Sequence, residues 1–171
     1  NNLILDKILI THSHHDHIFH LDDILNEYPN ISVFVNSNST AFKIYNIHAL
    51  DHGELFPLGN DMLCSLHTPG HYYDSMCYYN KTQQLLFTGD TIFVGRTGRV
   101  ISAKSNIKEL YHSIYNIILK LPIQTTIYPG HHYGYKKYIT MEENISISKF
   151  FTCNDLREFK KIMKDFEHSR K

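Results

Sequence analysis

The chain has 171 residues, 42% of them hydrophobic, enough for about one domain with a real core. Lysine plus arginine and aspartate plus glutamate both number 17, so no single-sign field favours nucleic acid or a membrane surface. Three cysteines without CxxC spacing argue against a disulfide framework or a cysteine zinc site.

Residues 3–10, LILDKILI, form a β-branched apolar run that predicts a buried strand. THSHHDH (11–17) follows at once, with four of the chain's 13 histidines. Ile18, Leu21, Ile24 and Leu25 then recur at helical spacing and stop before Pro29. ISVFV (31–35) predicts a second strand, and a short helix is expected around 38–46. A loop with Gly53, Pro57 and Gly59 leads to the strand MLCSLH (62–67), and MCYY (76–79) and QLLF (84–87) flank a hairpin turn. Ser105 is the expected cap of a helix carrying Ile107, Leu110, Ile114, Ile117 and Ile118. TTIY (125–128) predicts a further strand. Asn154 or Asp155 opens a last helix with Leu156, Phe159, Ile162, Met163 and Phe166 along one stripe. Its Lys160, Lys161 and Lys164 read as a solvated face. Alternating strands and helices predict an α/β layered domain over 1–171, with 141–171 a C-terminal helical extension.

The residues able to do chemistry sit where strands end. THSHHDH follows the first strand, TPGH (68–71) follows MLCSLH, TGD (88–90) follows QLLF, and YPGHHYG (128–134) follows TTIY. Ligands of open α/β sheets bind at strand ends, so the four loops can share one site. His12 and His14, two apart in extended chain, point the same way and can reach one metal. Asp16 and His17 come after the chain turns toward the helix and can face a second position. Imidazole and carboxylate suit zinc and iron. Gly70, Gly89 and Gly130 precede His71, Asp90 and His131 and let the backbone approach closely. Any one of these motifs alone is an ordinary solvated turn. Their joint order is what points to a metal.

The set HxHxDH, TPGH, FTGDTIF and PGHxY resembles the metallo-β-lactamase-fold hydrolases, and within them the glyoxalase II (hydroxyacylglutathione hydrolase) group, from about residue 4 to about 145. The resemblance implies an αββα sandwich and two divalent metal ions, zinc first, with iron or a mixed pair as alternatives. It implies that His12, His14 and His71 bind one ion, that Asp16, His17 and His131 bind the other, and that Asp90 bridges them. Asp16 and Asp90 are then the catalytic carboxylates. His15 and His132 fall at variable positions. His20, His48, His52, His67, His112 and His168 match no ligand position and read as structural or surface residues.

The resemblance also has departures. The family's fold carries strands ahead of HxHxDH, so this chain is expected to be N-terminally truncated and to expose apolar sheet surface. The chain does not begin with Met, has no leader-like segment and has no apolar run long enough to span a membrane. An intracellular, cytoplasmic protein is expected, or an organellar one if a segment was removed. Residues 132–171 are too few for the C-terminal domain that helps glyoxalase II hold glutathione. Tyr133 matches the tyrosine of GHxY, and Arg99, in GRTGR, falls near a basic substrate contact, but Ile101 stands where a tyrosine is usual.

The expected reaction is hydrolysis of a small-molecule thioester such as an acyl-glutathione by metal-activated water, with no nucleic-acid or membrane partner and the oligomeric state open. A thiolate leaves readily, so no dedicated acid is needed. Persulfide dioxygenases also resemble the chain in YPGHHYG and GRTGR. They imply one iron held by His12, His71 and Asp90, although GRTGRV matches their usual GCGRTD only in part. A non-catalytic metal-binding or interaction module is the alternative of another class. Its signature would be lost ligands, yet all seven ligand positions are filled. Diiron flavoproteins carry Glu where His14 stands, and zinc β-lactamases lack the aspartate matched by Asp90.

Overall fold

The apolar run ahead of the histidine-rich heptad forms β1 (Lys7–Leu9), the first element of a computed structural model that describes residues 5–42 and 46–169. Leu3 and Ile4, at the start of the expected strand, lie outside the described residues. The chain then breaks into two short helices, α1 (His15–Ile18) and α2 (Leu21–Glu27), which end before Pro29 as the sequence predicts. Strands β2 (Ser32–Asn36) and β3 (Ile47–Leu50) join β1 in a parallel sheet of order β1-β2-β3. The described part of the helix expected over 38–46 is not helical. Residues 38–42 are turn and irregular chain, and 43–45 lie outside the described residues. The local alternative wins here. Asn38 N–H bonds the Asn36 side chain, and Thr40 is held by the Tyr73 hydroxyl.

A second sheet of six strands follows, in order β11-β10-β7-β6-β5-β4. It comprises β4 (Leu55–Leu58), β5 (Asp61–His67), β6 (Met76–Asn80), β7 (Leu85–Gly89), β10 (Thr126–Pro129) and β11 (Ile139–Thr140). The stretch read as a loop around Pro57 is strand β4. It lies at the sheet edge, where a proline costs no ladder bond. Between β7 and α3 (Ile107–His112) a small hairpin of β8 (Ile92–Phe93) and β9 (Arg96–Thr97) leaves the sheet. The α3 helix continues as a π-helical turn, Ser113–Ile117, and a 3-10 turn, Ile118–Lys120. Its cap is Asn106, not Ser105. The Asn106 side chain accepts the N–H groups of Lys108 and Glu109. Helix α4 (Met141–Ile147) is capped by Thr140 and α5 (Leu156–His168) by Asp155.

Strand alternation assigns the faces. In β2, Val33 and Val35 turn outward to Leu21 and Ile10, under α1 and α2. Phe34 turns inward, against Phe56 and the core shared by the two sheets with Leu50, Leu63, Met76 and Tyr78. In β6, Cys77 and Tyr79 face the other way, into a core with Leu110, Ile114, Phe159 and Met163 of the C-terminal helices. The layers therefore run helix, sheet, sheet, helix, the αββα sandwich that the resemblance implies.

Among the described residues the smaller sheet covers only part of the inner face of the larger one. Phe87 lies opposite Tyr78 in register, and Tyr128 lies opposite Phe87, so all three share that face. Tyr78 is buried, whereas Phe87 is 39% and Tyr138 54% exposed. Phe87, Tyr128 and Tyr138 stack in a row with centroids 5.5 and 5.3 Å apart.

Candidate metal centre

The four strand-end loops meet at one place. His12, on the extended stretch after β1, is 2% exposed. Its Nε2 lies 3.0 Å from His14 Nδ1, and His14 Nδ1 lies 3.1 Å from His71 Nε2, on the loop after β5. A second group forms beside the first. His17 Nε2, on α1, is 3.1 Å from His131 Nε2, on the loop after β10, and His131 Nε2 is 3.2 Å from Asp16 Oδ2. Asp90, at the end of β7, stands between them. Its Oδ1 is 3.3 Å from His17 Nε2, and its Oδ2 is 3.6 Å from His131 Nε2 and 3.7 Å from His71 Nε2.

The surrounding chain fixes which nitrogen His71 presents. A carbonyl oxygen can only accept, so the bond of 2.8 Å from His71 Nδ1 to Arg99 O puts the proton on Nδ1 and leaves Nε2 as a lone pair facing His14. Ser105, expected as a helix cap, instead donates to the His71 carbonyl at 2.7 Å, and Ser113 donates to Pro69 O at the same distance. Together they anchor the TPGH loop to α3. Gly70 has φ +135°, and a Cβ there would lie 2.2 Å from Leu110 N. A Cβ at Gly130 would lie 2.7 Å from Asp90 Oδ1 and 2.8 Å from His17 Cε1, so only glycine lets that loop stand against the site.

Burial favours the neutral form of His12, His14 and His71. It pushes His12 down to about 2, aided by the nearby His17 and His71. Burial likewise lowers His14 and His71, with His71 adding to the effect on His14. Neutral imidazoles with converging lone pairs are an unfavourable arrangement unless a cation lies among them. Asp90 Oδ1 points the same way, since it is buried without a hydrogen-bond partner. The residues therefore fit metal ions. Among the described residues three groups have their donor atoms close enough to hold one: His12, His14 and His71; His12, His17 and Asp90; Asp16, His17 and His131.

The chain matches the metallo-beta-lactamase superfamily over residues 3–131. It belongs to that superfamily. It is 32% identical to a probable polyketide biosynthesis zinc-dependent hydrolase of Bacillus velezensis, covering 91% of this chain and 69% of that protein. It is 38% identical to the hydroxyacylglutathione hydrolase of Pseudoalteromonas translucida, covering 78% of this chain and 49% of that one. Among solved structures, ETHE1 from Myxococcus xanthus superposes with a TM-score of 0.83 at 29% identity, covering 96% of this chain and 71% of that one. The chain thus spans about half the length of the hydroxyacylglutathione hydrolases it matches.

A groove of about 400 Å³ opens beside the centre and reaches from His14, His71 and Asp90 to Arg96, Arg99 and Tyr133. Arg99 lies on its wall with a buried Nε that has no hydrogen-bond partner, and Tyr133 is 52% exposed, 5.1 Å from His131 ring to ring. His15 and His132 are exposed, outside the metal-holding groups. Three contributors were not foreseen. Tyr72 packs its ring 4.1 Å from that of His14, and Arg96 lines the groove from β9. Asp74, 2% exposed, accepts the Ser13 N–H between His12 and His14. Asp74 carried a usable signal, an acid three residues beyond His71 in the same loop. Among the described residues no helix is long and apolar enough to cross a membrane.

Proposed function

We propose that the protein is a dinuclear metal-dependent hydrolase that cleaves a small-molecule thioester, an acyl-glutathione being the first substrate to test. The observation that carries this reading is the position of Asp90, whose two carboxylate oxygens face His17 on one side and His71 on the other. In this reading His12, His14 and His71 would hold one ion and Asp16, His17 and His131 the second, with Asp90 serving both. Zinc is the first choice of metal, with iron or a mixed pair as alternatives.

Two divalent cations, when bound, polarise a carbonyl and bring the ionisation of water toward neutral pH. The chain's own residues do the rest. The His71 Nδ1–H bond to Arg99 O orients that ring, and Asp16, on the exposed side, can accept a hydrogen bond from the attacking water. Arg99 and Tyr133, on the groove wall, hold the thiol half of the substrate. A thiolate leaves without a general acid, in keeping with a groove whose only carboxylate among the described residues is Asp90. The free thiols Cys64, Cys77 and Cys153 support a reducing compartment, the cytoplasm in this reading.

Elemental analysis of protein purified without chelator, followed by a thioester cleavage assay, tests the proposal. About two ions per chain with turnover of S-lactoylglutathione or a simple acetyl thioester is the expected result. One iron per chain with oxygen uptake on a persulfide would replace it with dioxygenase chemistry. No metal bound or taken up, and no turnover, would leave a non-catalytic module.

A further inference from the structure

We infer that Tyr72 is a positioning residue of the metal centre, whose ring sets the plane of the His14 imidazole so that Nδ1 faces the ion. The inference rests on the metal-holding part of the reading above and not on its substrate.

The three histidines of the first group are fixed in different ways. His71 is held by the bond of 2.8 Å from its Nδ1 to Arg99 O. His12 is 2% exposed, and its Nδ1 lies 3.3 Å from the Thr11 hydroxyl. His14 is only half-buried, and its Nδ1 faces His12 Nε2 and His71 Nε2 at 3.0 and 3.1 Å. Its other nitrogen, Nε2, makes no hydrogen bond among the described residues. The last torsion of a histidine is soft, so a ring without an outer hydrogen bond needs packing to hold its plane. Tyr72 supplies that packing, with ring centroids 4.1 Å apart and planes tilted by 46°. The rings of His12 and His71 lie farther from His14, at 4.7 and 4.8 Å, and meet it edge-on at 73° and 83°.

Tyr72 is itself held firmly. Its carbonyl oxygen accepts the N–H groups of Gly70 and Ser75 at 3.3 and 3.4 Å, which closes a turn around His71. Its ring packs 5.0 Å from that of Tyr73, whose hydroxyl accepts the Thr40 N–H at 3.1 Å. The Lys104 ammonium lies 4.6 Å from the Tyr73 ring centre and 5.7 Å from that of Tyr72. The same loop also grips the backbone beside His14, through Asp74 and the Ser13 N–H. An imidazole that shares its lone pair with a cation becomes electron-poor, and the face of a phenol ring is electron-rich, so the contact strengthens when an ion is bound. The groove is lined by other residues, so Tyr72 acts on a ligand of the ion and not on the substrate.

Cobalt titration of metal-stripped protein tests this, with chelator competition reading affinity and the visible absorption of bound cobalt reading ligand geometry. Tyr72→Ala is expected to weaken cobalt binding by about 10- to 100-fold and to shift the absorption, with the urea midpoint of the stripped protein little changed. Tyr72→Phe keeps the ring and is expected to restore wild-type affinity and spectrum. Tyr72→Leu keeps apolar bulk without an aromatic face and is expected to lose affinity as Tyr72→Ala does, which preserves the test if the alanine variant fails to fold. Wild-type affinity and spectrum in Tyr72→Leu, or a Tyr72→Phe variant that binds as weakly as Tyr72→Ala, overturns the inference. So does a rise in KM for S-lactoylglutathione with cobalt binding unchanged, which would make Tyr72 a substrate contact. Cobalt binding that depends on the Tyr72 ring in a protein that cleaves no thioester would sink the hydrolase reading and leave this inference standing. Wild-type protein that takes up no cobalt would sink both.

Discussion

The carboxylate of Asp74 accepts the backbone N–H of Ser13 at 3.2 Å, and Ser13 is the residue between His12 and His14. The other oxygen of Asp74 accepts the Ser39 hydroxyl at 2.7 Å. A buried charge thus ties the loop carrying the first two histidines to the loop carrying His71. Asp74→Asn keeps the shape and removes the charge. It is expected to weaken metal binding by about 10- to 100-fold, the usual effect of losing an outer partner of a metal site. Chelator competition on the folded variant measures this, and unchanged affinity would show that the bond only shapes the loop.

Metal binding should be visible as stability. An ion present at a hundred times its dissociation constant stabilises the folded state by about 2.7 kcal/mol. For a chain of this size that raises the melting temperature by roughly 5–10 °C. His12→Ala is expected to abolish much of the zinc-dependent shift, because His12 belongs to two of the three metal-holding groups. A shift of the same size in that variant would place the ions elsewhere.

Acid should loosen the metal-free protein. Burial lowers His12, His14 and His71 in the folded state, so below their ordinary value near 6.5 the unfolded chain binds more protons. Stability is then fully present above about pH 6.5 and falls as pH drops, by up to about 1.4 kcal/mol per pH unit for His12 alone. Urea midpoints of chelated protein at pH 7.5 and 5.5 check the sign. A midpoint that rises in acid would contradict it.

Two glycines separate fold from site. Gly70→Ala sets a Cβ against the backbone of Leu110 at a φ of +135° and is expected to cost about 3 kcal/mol or more. Gly130→Ala meets side chains of the site, the Asp90 carboxylate and the His17 ring, and should cost about 1 kcal/mol while displacing bound metal. Denaturant melts and metal content distinguish the two. Equal destabilisation would refute the distinction.

The site was more legible in the sequence than the fold around it. Each of the four loops carries a short motif directly after an apolar strand, so the convergence of His12, His14, Asp16, His17, His71, Asp90 and His131 could be anticipated from local pattern. The edges of the sheets could not. Strand β3 is the four-residue IHAL, β4 contains Pro57, and β8, β9 and β11 have two residues each, so none shows a period of two. Helix α4 falls within the helical extension expected over 141–171 but was not marked off there, although Thr140 stands three residues before Glu143, a pattern that announces a helix start. Ser105 was given the wrong partner because a hydroxyl ahead of a helix reads as a cap. Only the packed structure shows that it is turned to His71 O.

The row of Phe87, Tyr128 and Tyr138 also has a colloidal consequence. The formal net charge at pH 7 is zero, and the isoelectric point is about 7.4. Molecules near neutral pH therefore repel one another least while presenting an aromatic strip to their neighbours. Self-association should be strongest in that range and ease as the solution moves either side of it.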